Sequence, residues 1–206
     1  MLKKIVMSMI LISSLSVADK QEKNWFLEFG YQASIQRVNG GFDSTYISTG
    51  AGAGEAWEGL TDNLYLKIGQ NFNLNEKYSL APSLGFTQAS LLADDYHNDA
   101  ITLELPLFYK TEFFDKSVKI GPSLKYILYP SLYYNNRDGQ VDFGVKNAFA
   151  YGIQSLWGDS NTKFSVGLEY LNSANYSART ATDTAQLESN VEMNGLYLNI
   201  GLHLEF

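Results

Sequence analysis

The last twelve residues, Gly195 to Phe206, alternate apolar and polar without a slip. Leu196, Leu198, Ile200, Leu202, Leu204 and Phe206 fall on one face; Tyr197, Asn199, Gly201, His203 and Glu205 fall on the other. A period of two is the mark of an extended strand with one greasy and one polar side. Seven further segments repeat the pattern. The first carries Trp25, Leu27, Phe29, Tyr31, Ala33 and Ile35 against Glu28, Gly30, Gln32 and Ser34. The second sets Leu64, Leu66 and Ile68 against Asn63, Tyr65, Lys67 and Gly69, and the third Tyr78, Leu80, Pro82, Leu84 and Phe86 against Ser79, Ala81, Ser83, Gly85 and Thr87. In the fourth, Ile101, Leu103, Leu105, Leu107 and Tyr109 oppose Thr102, Glu104, Pro106, Phe108 and Lys110.

In the fifth, Val118, Ile120, Pro122, Leu124, Tyr126 and Leu128 oppose Lys119, Gly121, Ser123 and Lys125. The sixth is noisier: Phe143, Val145, Phe149, Tyr151 and Ile153 against Gly144, Lys146, Ala150, Gly152 and Gln154. The seventh sets Phe164, Val166, Leu168 and Tyr170 against Lys163, Ser165, Gly167 and Glu169. Each is close to the ten residues that a tilted strand needs to cross a bilayer.

The connections alternate long and short. Residues 73–77, 113–116 and 158–161 are short and rich in turn formers, whereas 37–61, 89–99, 130–140 and 172–190 are predicted to be long loops. Up-and-down bacterial barrels show this asymmetry. The reading is therefore all-β: an eight-stranded antiparallel up-and-down transmembrane β-barrel. Alternation alone does not say which face points inward, and a soluble barrel would hide its apolar face. The loop asymmetry, the strand lengths and the lack of charge on the apolar face favour lipid outside.

Composition adds location. Lys3 and Lys4, the apolar stretch Ile5–Leu15 and the small residues Ser16-Val17-Ala18 read as a secretory signal peptide over 1–18, with 19–206 as the barrel domain. No window supplies ~18 consecutive apolar residues for a membrane helix. There is no cysteine, so an exported chain must hold together without disulfides. Removing Lys3 and Lys4 takes the formal charge from −7 to −9, and no basic patch exists, so nucleic acid is not an expected partner.

On these segments, and above all on Leu198-Asn199-Ile200-Gly201-Leu202-His203-Leu204-Glu205-Phe206, the chain resembles the small eight-stranded outer-membrane barrels of Gram-negative bacteria, of the opacity-protein and OmpA-transmembrane type. The resemblance implies residence in the bacterial outer membrane among outer-membrane lipid and lipopolysaccharide. It also implies that Leu202, Leu204 and Phe206 form the signal read by the barrel-assembly machinery. Roles in that family range from structural support and adhesion to narrow pores and lipid-modifying enzymes.

The polar face carries Glu28, Lys67, Glu104, Lys110, Lys119, Lys125, Glu169, His203 and Glu205. An eight-stranded barrel is just wide enough for side chains to fill, and unpaired buried charges cost several kcal/mol each. These groups are therefore predicted to form a network that closes the lumen. A two-residue turn at Phe114-Asp115 would put Glu104 opposite Lys125 and Lys110 opposite Lys119, the second pair needing Glu28 or Glu205 as a further partner. Pro-Ser-Leu recurs at 82–84 and 122–124, and proline cannot donate to a ladder, so each marks a bulge or strand start.

For an enzyme the parts are sparse. Lipid A deacylase barrels place a His-x-Ser pair on a late strand, where this chain reads Glu169-Tyr170-Leu171-Asn172-Ser173. Asp94, Asp95, His97 and Asp99 cluster in an outer loop, a set that could hold a metal or form an acid–His pair but more often is a solvated acidic segment. No cofactor or metal is expected. The expected function is that of a non-enzymatic, monomeric barrel, structural or surface-binding through the loops at 39–59 and 172–190; a narrow pore for small solutes or ions is the alternative, and a barrel enzyme the third reading.

Overall fold

The computed structural model describes residues 24–35, 63–89, 96–97, 99–136, 139–174, 176–177, 180–181, 190–191 and 194–206. Eight barrel strands are labelled here in chain order. They are β1 (Asn24–Ser34), β2 (Asn63–Asn73), β3 (two pieces, Tyr78–Leu80 and Ser83–Ala89), β4 (Ala100–Phe113), β5 (Lys116–Asn136), β6 (Gly139–Trp157), β7 (Thr162–Ser173) and β8 (Gly195–Glu205).

Every strand is antiparallel to the next, and the ring closes where β8 pairs with β1, Leu27 facing Leu204 and Ala33 facing Leu198. Phe206 completes the seam, exchanging backbone hydrogen bonds with Trp25 at 2.9 and 3.1 Å. Closure removes the edges that an open sheet would leave unpaired.

The polar face is inside. Glu28 is 1% exposed and Glu104 4%, while Leu66 is 50% and Leu124 64% exposed. Most of the exposed large apolar side chains are ones placed on the apolar face by periodicity, among them Phe29, Leu84, Ile101, Ile153, Leu168, Ile200 and Leu202, whereas Val118, placed there too, is buried. A contiguous apolar exterior around a polar interior is the inverse of a soluble barrel and matches a lipid-facing wall.

The short connections sit at the end that carries both ends of the barrel domain. The β4–β5 turn consists of Phe114 and Asp115, both with positive φ (49° and 57°), as a two-residue hairpin of the twist-matching kind requires. In the β2–β3 turn the Asn75 carboxamide oxygen accepts from the backbone N–H of Lys77 and Tyr78, each at 2.9 Å.

One prediction on strand extent and one on side-chain facing are corrected. Residues 130–140, expected as a long loop, lie almost wholly in β5 and β6, which run 21 and 19 residues and are joined at 137–138. Their far ends gather short strands: Tyr96–His97 pairs with Tyr133–Tyr134, and Thr180–Ala181 with Val141–Asp142. Phe143, expected on the outer face of β6, is buried at 2% exposure. The cause is local: Gly144 takes φ +71° beside a register shift between Tyr129 and Leu132, so inward and outward positions exchange there.

The expectation that each Pro-Ser-Leu site marks a bulge or strand start holds at one site and is corrected at the other. Pro82 splits β3, whereas Pro122 stays within the β5 ladder opposite Ile153. With Pro106 on β4, three adjacent strands each carry a residue without an N–H at nearly one level of the wall.

Candidate functional site

The barrel interior is the candidate site. At its centre Lys67 of β2 bridges two carboxylates, Glu28 of β1 at 3.0 Å and Glu104 of β4 at 2.7 Å. Each acid has further donors. Glu28 accepts from Ser165 at 2.9 Å and from the Tyr65 hydroxyl at 3.2 Å, and His203 Nδ1 lies 3.0 Å from its other oxygen. Ser123 donates to Glu104 at 2.9 Å. Tyr65 reaches inward because Gly30 and Gly201 leave room; a Cβ at either would collide with its ring. The Lys67 ammonium also lies 5.5 Å from the centre of that ring.

Toward the long-loop side, Lys125 donates to both oxygens of Glu169, at 2.9 and 2.7 Å, and Gln32 donates to the same carboxylate. Toward the turn side, Glu205 accepts from Lys119 at 2.8 Å, from Lys163, and from Asn71 at 3.2 Å.

Two apolar layers cap these charges. Phe26, Ala81, Phe108 and Leu156 form a buried cluster toward the turns, with His203 stacked on Phe26 at 4.4 Å between ring centres. Beyond Lys125 the buried side chains become Ile127, Tyr129, Leu171 and Tyr197, with Leu132 and Phe143 in the extended hairpin.

The β4–β5 register sets Glu104 across from Lys125 and Lys110 across from Lys119. Within this hairpin the cross-strand neighbours are nevertheless not the ion-pair partners, unlike Glu28 and Lys67, which face one another on β1 and β2 and do pair. Lys125 turns to Glu169 and Glu104 to Lys67. Lys119 takes Glu205, and Lys110 donates to Asn73 at 2.8 Å. The reason is closure: in a ring this narrow a long side chain reaches a strand distant in sequence as easily as its neighbour. Lys163, Ser165, Ser123, Gln154 and Tyr65 complete the network without having stood out individually; their only signal was a place on the polar face.

Two cavities between these side chains measure about 10 and 20 Å³, the first beside Lys67 and Glu104, the second beside Ile127 and Tyr129. Neither exceeds the room of about one water molecule. Among the described residues no three His, Asp or Glu side chains converge on a metal position. Of the loop cluster, Asp94, Asp95, and the side chain of His97 lie outside the described residues, as do Tyr46, Trp57 and Arg179 of the long loops.

Leu202 and Phe206 point outward and are well exposed, and Leu204, two residues from each, shares their face. The residues that the family resemblance marks as an assembly signal therefore lie along one exterior edge of the closing strand.

The chain is an eight-stranded antiparallel β-barrel. No family model and no curated protein matches it. Solved structures that do match are small outer-membrane barrels. The attachment invasion locus protein Ail of Yersinia pestis is 10% identical, covering 90% of this chain and all of its own, at a TM-score of 0.42. Neisserial surface protein A is 9% identical, with the same coverage and a TM-score of 0.44. An outer-membrane channel from Pseudomonas putida is 14% identical over 92% of this chain and 97% of its own, at 0.34. These figures concern architecture alone, and the barrel assignment stands on the strand ladders themselves.

Proposed function

We propose that this chain is a non-enzymatic integral protein of the bacterial outer membrane whose lumen is closed, and which works as a structural element or binds surface ligands through its long loops. The observation that carries the closed lumen is the central bridge. Lys67 is held between Glu28 and Glu104 with both acids further hydrogen-bonded, and the cavities beside it have room for about one water each. Charges paired this completely are costly to separate, so the resting interior is a packed polar core and not a water path.

Placement in the membrane is supported by the apolar exterior, which in water would be an aggregation surface. The signal peptide at 1–18 and the loops at 39–59 and 172–190 lie largely outside the described residues, and their roles are inferred from sequence. In the same reading, the exterior edge formed by Leu202, Leu204 and Phe206 is the face offered to the assembly machinery, outer-membrane lipid and lipopolysaccharide surround the barrel, and the protein is a monomer.

Single-channel recording of refolded residues 19–206 in a planar bilayer tests the closed lumen. Silence from protein shown to be inserted is the expected result. Reproducible conductance steps that change with Lys67→Met or Glu104→Gln would make the protein a narrow pore instead.

A further inference from the structure

We propose that a notch in the loop-side rim, between the end of β7 and the longer β6, binds a short acidic saccharide of the uronic acid class from the medium beyond the outer leaflet. Its origin is the unequal length of two neighbouring strands. The β6–β7 ladder ends where Ala148 faces Ser173, but β6 runs on from Asn147 back to Gly139. The next strand on that side, Thr180–Ala181, joins only at Asp142 and Val141. Among the described residues no strand pairs with Phe143 to Asn147 on that side. The gap opens as a trough of about 650 Å³, within the range of small-molecule sites.

The notch is braced by a buried ring. Tyr176, 4% exposed, donates its hydroxyl to the Asn147 carbonyl at 2.6 Å, so a ladder acceptor is satisfied without a strand. Lys146 belongs to the inward row, opposite Tyr129, but the missing neighbour lets the trough reach it from the side. Its ammonium stands 5.6 Å from the centre of the Tyr176 ring. Among the described residues it has no carboxylate partner: Asp142, the one acid in the β6 sequence, accepts from the Gly144 N–H at 2.7 Å. Lys67, Lys119, Lys125 and Lys163, by contrast, all reach carboxylates. Lys146 is thus a positioned cation whose N–H donors are left for a ligand.

The lining defines the ligand. Lys146 supplies one positive charge, which matches a single carboxylate more closely than a phosphate monoester with its second charge. Asn147 and Asn172, both exposed, add carboxamides that donate and accept, the pattern that ring hydroxyls answer. Phe149 and Val145, 56% and 65% exposed, offer apolar surface to the C–H face of a sugar ring. In the wall below, any acyl chain serves as well as the next; here the cation and the amides are groups that hydrocarbon cannot satisfy. The inference rests on the surface-binding reading above and narrows it to the root of the last long loop.

The test is calorimetric titration of digalacturonic acid into the mature protein held in phosphatidylcholine nanodiscs. Saturable binding of one disaccharide per barrel is expected, and its dimethyl ester, which lacks the charges, should not bind. Lys146→Gln should weaken binding roughly tenfold, whereas Lys146→Arg should keep most of it. Tyr176→Leu, which removes the ring beside the ammonium, should fall between them. Lys116→Gln, at the turn end, should change nothing. Absence of binding by inserted protein, an ester that binds as tightly as the acid, or equal affinity in all variants overturns the notch. So does loss of the binding once lipopolysaccharide is added to the nanodisc, which would give the site to the leaflet's own saccharide. The two readings fail separately: binding that ignores Lys146 keeps a surface-binding barrel and defeats only the notch, whereas protein that never inserts defeats the membrane reading on which both stand.

Discussion

Lysine meets carboxylate in two very different settings here. Lys67 lies between Glu28 and Glu104 with side-chain exposures of 9%, 2% and 5%, whereas Lys116 faces Asp159 across the turn end at 3.4 Å with exposures of 66% and 55%. The partners are chemically alike, but the reference state differs. At the turn end water competes for both groups and salt screens them, so the pair adds little. In the lumen the space beside Lys67 holds about one water at most, so what matters is the cost of leaving the remaining charge without its ionic partner. The interior network is thus best understood as a condition for filling a narrow barrel with polar groups, and the surface pair as incidental to stability.

The widest separation between the two settings is expected from Lys67→Met, which leaves Glu28 and Glu104 facing one another without their shared cation. Removing one member of a buried charge network costs about 3–5 kcal/mol. Urea unfolding in phospholipid vesicles should show the loss as a lower midpoint, unless the carboxylates take up protons. The triple variant Lys67→Met, Glu28→Gln, Glu104→Gln sharpens the point. It removes the charges together and should recover most of the loss, since uncharged replacements of a buried ion pair are often neutral. A triple variant no better than the single one would mean that the network contributes through specific geometry and not through avoided desolvation.

How much of this was legible in the chain follows the same divide. Period-two alternation identified the eight strands and sorted residues such as Leu66 and Lys67 to opposite faces, because one face meets a uniform apolar surrounding. The Phe114-Asp115 turn was legible because two-residue hairpins fix their own register. Phe143 was misplaced because the phase change depends on Gly144 adopting a positive φ, which alternation does not encode. The extension of β5 and β6 through 130–140 was hidden because those residues lie beyond the apolar belt and lose the alternating pattern. Glu169 as the partner of Lys125 was hidden for a third reason: contacts across the lumen follow from ring closure and not from any one hairpin.

An intermediate case lies at Glu205, whose side chain is 17% exposed and which accepts from Lys119, Lys163 and Asn71. Lys119→Met removes one donor of three and leaves no charge unpaired. The expected loss is about 1.5 kcal/mol, the scale of one hydrogen bond to a charged group, read from the same unfolding midpoints. Lys119→Met combined with Lys163→Met should lose more than twice as much, because the carboxylate then keeps only Asn71 and the His203 ring at 3.6 Å. Strict additivity would mean that this end of the lumen is already wet, and that burial grades less steeply along the barrel than the exposures suggest.

The smallest effect belongs to the turn end and appears in pH dependence. The Asp159 carboxyl is held below its ordinary value of 3.8, first by the Ser117 backbone N–H that donates to it at 2.8 Å and then by Lys116. A carboxyl that titrates lower in the folded chain stabilises the fold fully above its unfolded value, and that contribution fades as pH falls through the lowered folded value. Exchange of the Ser117 amide should therefore be slow above pH 4, beyond the ordinary base-catalysed trend, and lose its protection in more acid solution. Asp159→Asn should abolish that step while lowering the unfolding midpoint at pH 7 only slightly, as befits an exposed pair. A midpoint that fell as far as that of Lys119→Met would show that an exposed pair can matter as much as a half-buried one, and the distinction drawn from burial would fail.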